Sequence, residues 1–340
     1  VGTAARTHLD SHRGSTAAVG RRAAALALGL LAAALLAACG HSGAAPGAPG
    51  ESGSGGSGRR APLRVVATTE LVAELARRVG GARVAATALM GPGTDPHTYK
   101  PSPGDVRRLS AADLVLFHGL HLEGRMDAPL RALERDGRAA AVAEGIPEAD
   151  LRHAEEGAHD PHVWFDPLLW RAAAARAAEA LARADPEGAE AYAAGARAFA
   201  EELERLDADI ARTLAAVPPR RRVLATAHDA FGYFGRRYAF DVLGIQGIST
   251  ESEASLRDIA ALVGTLAERG VPAVFVESTV SPRTVEALVE GARARGHALR
   301  IGGELYSDAP GPAGSGAETI AGMSLHNART IARALTGDEP

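Results

Sequence analysis

The chain has 340 residues, 46% hydrophobic and 23% charged, enough for one large or two medium globular domains. Its 37 basic and 41 acidic residues leave a formal charge of −4, so no basic excess is available to neutralise a phosphate backbone, and nucleic acid is not an expected partner. A single cysteine excludes an intramolecular disulfide framework, a cysteine-rich zinc site and an iron–sulfur cluster held by this chain alone.

The first forty residues read as an address. Arg21-Arg22 precede an apolar run over 23–38 that ends in small residues, the layout of a secretory signal. The run has 16 residues, short of the roughly 20 that cross a bilayer as a helix. It closes with Leu36-Ala37-Ala38-Cys39, which resembles a bacterial lipoprotein signal. That resemblance implies that 1–38 is a removed signal peptide and that Cys39 becomes a lipid-bearing N-terminus, holding the protein to the membrane outside the cytoplasm. Loss of 1–38 takes a net +3 with it and leaves the chain near −7. Residues 39–62 are mostly Gly, Ser, Ala and Pro, a composition that cannot bury enough apolar surface to offset chain entropy, and read as a flexible tether.

From residue 63 strands alternate with helices. Strands are predicted at 63–69, 84–90 and 114–119, with a helix over 71–79. Ser102-Pro103 with Asp105, and Asp166-Pro167, each set a capping side chain before a proline at a helix start. Asp185-Pro186 opens a periodic stretch to residue 217 broken only by Gly188 and Gly195, predicted as one helix roughly 45 Å long. The alternation then resumes, with strands at 223–227, 242–246, 273–277 and 298–301 and helices near 255–269, 282–295 and 319–335, the second of these capped by Ser281-Pro282. The expected architecture is α/β, with two lobes (63–185 and 218–340), each a mainly parallel sheet flanked by helices, joined by one long backbone helix (186–217).

Four residues read as one metal site. Asp95-Pro96-His97 and Asp160-Pro161-His162 are the same tripeptide, and each proline restricts the backbone beside an imidazole. His228 follows the apolar strand at 223–227, and Asp308 follows the strand ending near residue 301. In open α/β sheets ligands bind outside the strand carboxyl ends, so two residues from each half can converge on the cleft between them. Three imidazoles and one carboxylate suit zinc or, with a bidentate carboxylate, manganese or ferrous iron.

From residue 63 to 335 the sequence resembles the cluster A-I metal-binding proteins of bacterial ABC importers, the family 9 solute-binding proteins. The matching segments are Gly93-Thr94-Asp95-Pro96-His97-Thr98-Tyr99, Gly119-Leu120-His121-Leu122-Glu123 and Asp160-Pro161-His162-Val163-Trp164-Phe165-Asp166. In the second half they are Ala227-His228-Asp229-Ala230-Phe231-Gly232-Tyr233-Phe234, Gly247-Ile248-Ser249-Thr250-Glu251-Ser252-Glu253-Ala254-Ser255 and Gly303-Glu304-Leu305-Tyr306-Ser307-Asp308. The resemblance implies that His97, His162, His228 and Asp308 bind a divalent metal, zinc or manganese with iron possible, in a cleft between lobes. It further implies a monomeric carrier that gives the ion to an ABC permease. Zinc-specific relatives often carry a long loop rich in His and acids before the second ligand. Here 151–160 offers only His153 and His159 among Glu155, Glu156 and Asp160, which places the chain nearer the manganese and zinc group.

Glu277, at a strand end, and Asp95, Asp160 and Asp229, beside the histidines, are candidates to orient a ligand, since a metal-bound imidazole needs a partner for its other nitrogen. His118 and His121 are expected to pack, and His297 and His326 to be ordinary core or surface histidines. No bond-making chemistry is expected. The competing readings are a secreted zinc hydrolase, although a His-Glu-x-x-His motif is lacking and four protein ligands leave no open catalytic position, and a surface adhesin with a structural metal.

Overall fold

A computed structural model describes residues 61–154 and 158–337. The signal, Cys39, nearly all of the tether, Glu155 and Glu156 lie outside the described residues. Among the described residues no helix is long and apolar enough to cross a membrane.

The first sheet is built from β1 (Leu63–Thr69), β2 (Val84–Met90), β3 (Leu114–Phe117) and β4 (Ala139–Ala141), in the order β2-β1-β3-β4 with every pair parallel. Its helices are α1 (Glu70–Gly80), α2 (Pro103–Ala111), α3 (Asp127–Arg135) and α4 (Pro167–Ala184). Ser102 and Asp105 form the reciprocal capping box of α2, and Asp166 accepts from Leu168 N at 3.0 Å to start α4, both as the sequence predicts. β4 and α3 are not predicted, because a three-alanine strand carries no periodicity.

After α4, residues Pro186–Gly188 form a 3₁₀ turn and α5 covers Ala189–Leu214. The single helix expected over 186–217 is therefore shorter, at 26 residues, or about 39 Å at 1.5 Å per residue. Pro186 opens the 3₁₀ turn that precedes α5, and Pro218-Pro219 stop the helix at the other end. Tyr192, Ala196, Phe199, Leu203, Leu206, Ile210 and Leu214 are its buried residues. Their spacing of three and four makes one apolar stripe, which packs on α1, α4 and α9 (Ile320–Thr336). Gly195 sits where a Cβ would lie 2.3 Å from the carbonyl oxygen of Val79, so its lack of a side chain lets α5 meet the end of α1.

The second sheet repeats the topology of the first, with β5 (Val223–His228), β6 (Asp241–Gln246), β7 (Ala273–Glu277) and β8 (Arg300–Leu305) in the order β6-β5-β7-β8, all parallel. It is flanked by α6 (Gly232–Tyr238), α7 (Leu256–Glu268), α8 (Arg283–Ala294) and α9. Two expectations are corrected. β8 covers Arg300–Leu305 rather than 298–301, with its pairing to β7 running on past a one-residue register shift at Val274 and Phe275 as far as Leu305. Ser281 does not cap α8: Pro282 holds the cap position without a side-chain bond.

One apolar cluster runs from Val65 to Leu335 and includes Trp164, Trp170, Tyr192, Phe199, Phe231, Phe275 and Ile331, so the core around α5 is shared by both sheets. Polar bonds also cross between the halves. Glu74 on α1 is buried and accepts from Ile320 N, the first residue of α9, at 2.7 Å. Burial pushes this carboxyl up to about 6 from an ordinary 4.5, although the Ile320 bond and the charges of Arg78 and Arg77 oppose the shift. A carboxyl that titrates higher in the folded than in the unfolded chain contributes stability that is full below the unfolded value and is lost as pH rises through the folded one. Glu74→Gln keeps an oxygen for Ile320 N. It is expected to raise stability by about 2 kcal/mol above neutral pH and to leave it nearly unchanged near pH 4, as read by denaturant melts at the two pH values.

Candidate metal centre

Each sheet ends its strands toward the same place, and the chemistry-bearing residues sit at or just beyond those carboxyl ends. The register Ala225↔Val274 between β5 and β7, carried three residues on, sets His228 beside Glu277 as the last residues of adjacent strands. The β7–β8 pairing brings Leu305 opposite Glu277, three residues before Asp308. His97 lies in the loop after β2, and His162 in the turn that leads to α4.

The structure brings His97, His162, His228 and Asp308 together, all buried, with one donor atom from each within 4.8 Å of every other. His97 Nε2 and His162 Nε2 are 3.3 Å apart, and His228 Nε2 and His162 Nε2 are 3.4 Å apart. Asp308 sets Oδ1 at 3.3 Å from His162 Nε2 and Oδ2 at 3.4 Å from His228 Nε2. Asp308 Oδ1 is buried and, among the described residues, accepts no hydrogen bond.

Partners behind the rings fix which nitrogen faces inward. His162 Nδ1 is 2.8 Å from Asp160 Oδ1, which also accepts His162 N at 3.0 Å. Arg152 donates to Asp160 Oδ2 at 3.0 Å, and the Tyr233 hydroxyl donates to the Asp160 carbonyl at 2.9 Å. His228 Nδ1 approaches Glu277 Oε2 to 2.6 Å at a bent angle, while His228 N donates to Glu277 Oε1 at 2.9 Å. With Asp160 and Glu277 on the Nδ1 side, Nε2 of both rings points at the centre. Asp95 acts differently: it accepts His97 N at 2.9 Å, Thr98 Oγ1 at 2.9 Å and Thr250 Oγ1 at 2.6 Å, so it shapes the His97 loop and ties it to the second half. Asp229 is half-buried and, among the described residues, bonds to none of the three clustered imidazoles. Its carboxyl is held above the ordinary range by burial and by Asp160.

The electrostatics follow from burial and these neighbours. Burial alone would hold His162 and His228 neutral, but Asp160 and Asp308 raise the first, and Glu277 and Asp308 raise the second well above the ordinary imidazole value. Asp308, despite burial, is held well below the carboxylate range by His228 and His162. His97 lacks so close an acid, and burial takes it down to about 4.

Other residues that support the centre are not marked by the sequence. His118 packs as expected, fully buried between Trp164 and Trp170, but its Nε2 also donates to the Pro161 carbonyl at 2.7 Å, beside His162. Burial lowers it to about 3, so it stays neutral. Its expected companion His121 does not pack: it is 71% exposed, near Asp127. Leu120 and His121 adopt positive φ, and the buried Glu123 holds that turn by accepting Thr68 Oγ1 at 2.7 Å and the backbone N–H groups of His118 and Gly119. At Gly124 a Cβ would lie 2.4 Å from the His97 carbonyl oxygen, so the turn presses on the His97 loop. Trp164, beside the His162 ring, donates Nε1–H to the Ser307 carbonyl at 3.1 Å. His153 and His159 face each other across a single antiparallel bridge and are not among the four clustered donors. His297 and His326 bond to the carbonyl oxygens of Val271 and Glu304, as structural histidines do.

Two parallel sheets of like topology, a long helix between them and a buried donor cluster at the strand ends define a two-lobed binding protein. The family described as zinc-uptake complex component A, periplasmic (ZnuA) matches residues 65–334, and the chain belongs to that family. It is 47% identical over 274 residues to the manganese-binding lipoprotein MntA of Bacillus subtilis (strain 168), covering 80% of this chain and 90% of that protein. It is 44% identical over 271 residues to the zinc-binding protein TroA of Treponema pallidum (strain Nichols), covering 80% and 88%. The solved structure of the periplasmic zinc-binding protein TroA from Treponema pallidum matches with a TM-score of 0.78 at 43% identity, covering 81% of this chain and 99% of that one.

Thr250→Val removes the bond that joins the His97 loop to the second half without altering a donor of the cluster. Amide exchange at His97 and Thr98 is expected to quicken about tenfold with the global fold retained, measured by hydrogen–deuterium exchange.

Proposed function

We propose that this protein is the extracytoplasmic, lipid-anchored binding component of a bacterial ABC importer, capturing zinc or manganese with His97, His162, His228 and Asp308 and passing it to the permease as a monomer. The observation that carries this reading is the buried convergence of four donors. Three imidazole nitrogens that face one another with unshared pairs repel, and a cation at their centre turns that repulsion into attraction. Four of the donor separations are 3.3–3.4 Å. Two of these involve different oxygens of Asp308, and all four groups offer a donor within 4.8 Å of every other, a spacing on the scale of the shell of one divalent ion, which as zinc takes imidazole nitrogen at about 2.0–2.1 Å. Family membership and the names of the two relatives support the transport role, and the word lipoprotein in one of those names supports Cys39 as the lipid site.

In this reading residues 63–185 and 218–340 are the two lobes, 186–217 links them, and 39–62 tethers them to the membrane after loss of 1–38. The ion is cargo and no bond is made or broken. Four protein donors fill the positions that a hydrolase keeps open for water, and the relatives named above bear the names of metal-binding proteins rather than of hydrolases or adhesins. Asp160 and Glu277 orient His162 and His228.

The soluble form from about residue 60 onward, stripped by chelator and titrated with zinc and manganese in competition, is expected to take up one reversible equivalent, with Asp308→Ala and His228→Ala abolishing tight binding. Asp160→Asn and Glu277→Gln are expected to weaken binding about 10–100-fold. Zero uptake by the parent protein, or uptake untouched by Asp308→Ala and His228→Ala, would refute the site. The raised values of His162 and His228, set by Asp160, Glu277 and Asp308, mean that protons compete for these nitrogens at higher pH than for an ordinary imidazole. Affinity is therefore expected to rise with pH through that window and to fall on acidification, by up to about tenfold per pH unit for each proton displaced, as read by titration in matched buffers. Cys39→Ser is expected to move the protein from the membrane to the soluble extracytoplasmic fraction of cells, checked by fractionation and immunoblot.

A further inference from the structure

The carboxylate of Asp308 presents both oxygens to the cluster at almost the same distance, Oδ1 at 3.3 Å from His162 Nε2 and Oδ2 at 3.4 Å from His228 Nε2. Distance to the imidazoles therefore does not distinguish them. One feature does. Thr279, two residues past the end of β7, donates its hydroxyl to Oδ2 at 3.1 Å, and its Oγ1 lies 2.9 Å from the hydroxyl of the fully buried Ser307. If Ser307 gives its proton to Thr279, the two hydroxyls form a chain polarised toward Oδ2. Oδ1, in contrast, is buried and accepts no hydrogen bond among the described residues.

A hydroxyl bonded to one carboxylate oxygen withdraws electron density from it and pins the rotation of the group. The other oxygen is left as the stronger and better aimed donor. One oxygen with three imidazoles makes a four-coordinate set that suits zinc, whereas engagement of both oxygens raises the coordination number toward what manganese favours. We propose that Thr279 is a specificity-determining residue, which holds Asp308 to a single metal-facing oxygen and so shifts the balance between zinc and manganese toward zinc. The proposal rests on the metal-binding reading of the four residues and adds to it the origin of the choice between ions. Thr279 is a positioning residue in this role, since it acts through Asp308.

The experiment compares the parent protein with Thr279→Val, which keeps the shape and removes the donor, and with Thr279→Ser, which restores the hydroxyl. Zinc and manganese affinities are measured by competition with a chromophoric chelator. Cobalt(II), titrated alone, serves as the optical probe, because four-coordinate tetrahedral cobalt absorbs far more strongly in the visible than five-coordinate cobalt. In Thr279→Val the manganese-to-zinc affinity ratio is expected to rise by about tenfold and the cobalt band to weaken, at one equivalent throughout. Thr279→Ser is expected to restore both. Ser307→Ala, which removes the outer hydroxyl, is expected to move the ratio the same way by a smaller step. An unchanged ratio with an unchanged cobalt band overturns the proposal. So does equal weakening of both ions, which would make Thr279 a structural support only. If the parent protein bound neither ion, the site reading itself would fall and this role with it, so the two failures are told apart by the parent titration.

Discussion

Holding three imidazole nitrogens and a carboxylate within a few ångströms, out of contact with water, is the constraint on which the rest of the structure depends. Buried polar groups without partners cost free energy, and nitrogens with unshared pairs turned toward one another add repulsion. The arrangement persists because each donor is held from behind. Asp160 bonds the outer nitrogen of His162 and Glu277 lies 2.6 Å from that of His228 while accepting its backbone N–H, Thr279 takes one oxygen of Asp308, and Asp95 caps the loop that carries His97. The acids do two things at once, fixing ring orientation and supplying negative charge that favours a cation at the centre.

Those supports are in turn held by strand ends. The two sheets have the same strand order and the same parallel sense, so each offers its loops on the carboxyl side, where the chain order reverses about the first strand. His228 and Glu277 close adjacent strands of the second sheet, which makes their contact a consequence of register. On the first side the equivalent rigidity comes from turns: the Glu123-held segment pressed on the His97 loop, and His118 bonded to the Pro161 carbonyl.

The halves share more than the centre. The apolar cluster around α5 is continuous from β1 to α9, and polar bonds cross at Glu74 with Ile320, Thr250 with Asp95, Trp164 with Ser307 and Tyr233 with the Asp160 carbonyl. Small side chains on α4, among them Ala173, Ala174, Ala177 and Ala180, are fully or almost fully buried and let α5 approach closely. A core shared in this way differs from two domains joined by a free linker, whose contact surfaces are smaller and more polar.

Much of this was legible in the sequence. Periodicity of two and of three to four residues marked most strands and helices, Ser102 with Asp105 and Asp166 with Pro167 marked two helix starts, and the repeated Asp-Pro-His tripeptide with His228 and Asp308 marked the donors, because local backbone preference and ligand chemistry are properties of the residues themselves. The repeated tripeptide nevertheless hid a difference. Asp160 reaches the ring of its histidine, whereas Asp95 turns to Thr250, and only the packing of distant segments decides between these. β4, α3 and α6 were missed because short elements carry too few residues for a period to appear. The 3₁₀ turn at Pro186–Gly188 was missed because a proline at a helix start and a proline that breaks a helix read alike. The roles of Thr279, Arg152, His118 and Trp164 belong to the same class: a threonine or an arginine has no pattern of its own, and what it does is fixed by which buried oxygen the fold carries within 3.1 Å of it. The sequence determined which residues have the chemistry to bind a metal. The tertiary structure decided which nitrogen of each ring faces inward and which carboxylate oxygen is left open, because those choices depend on contacts between residues far apart in the chain.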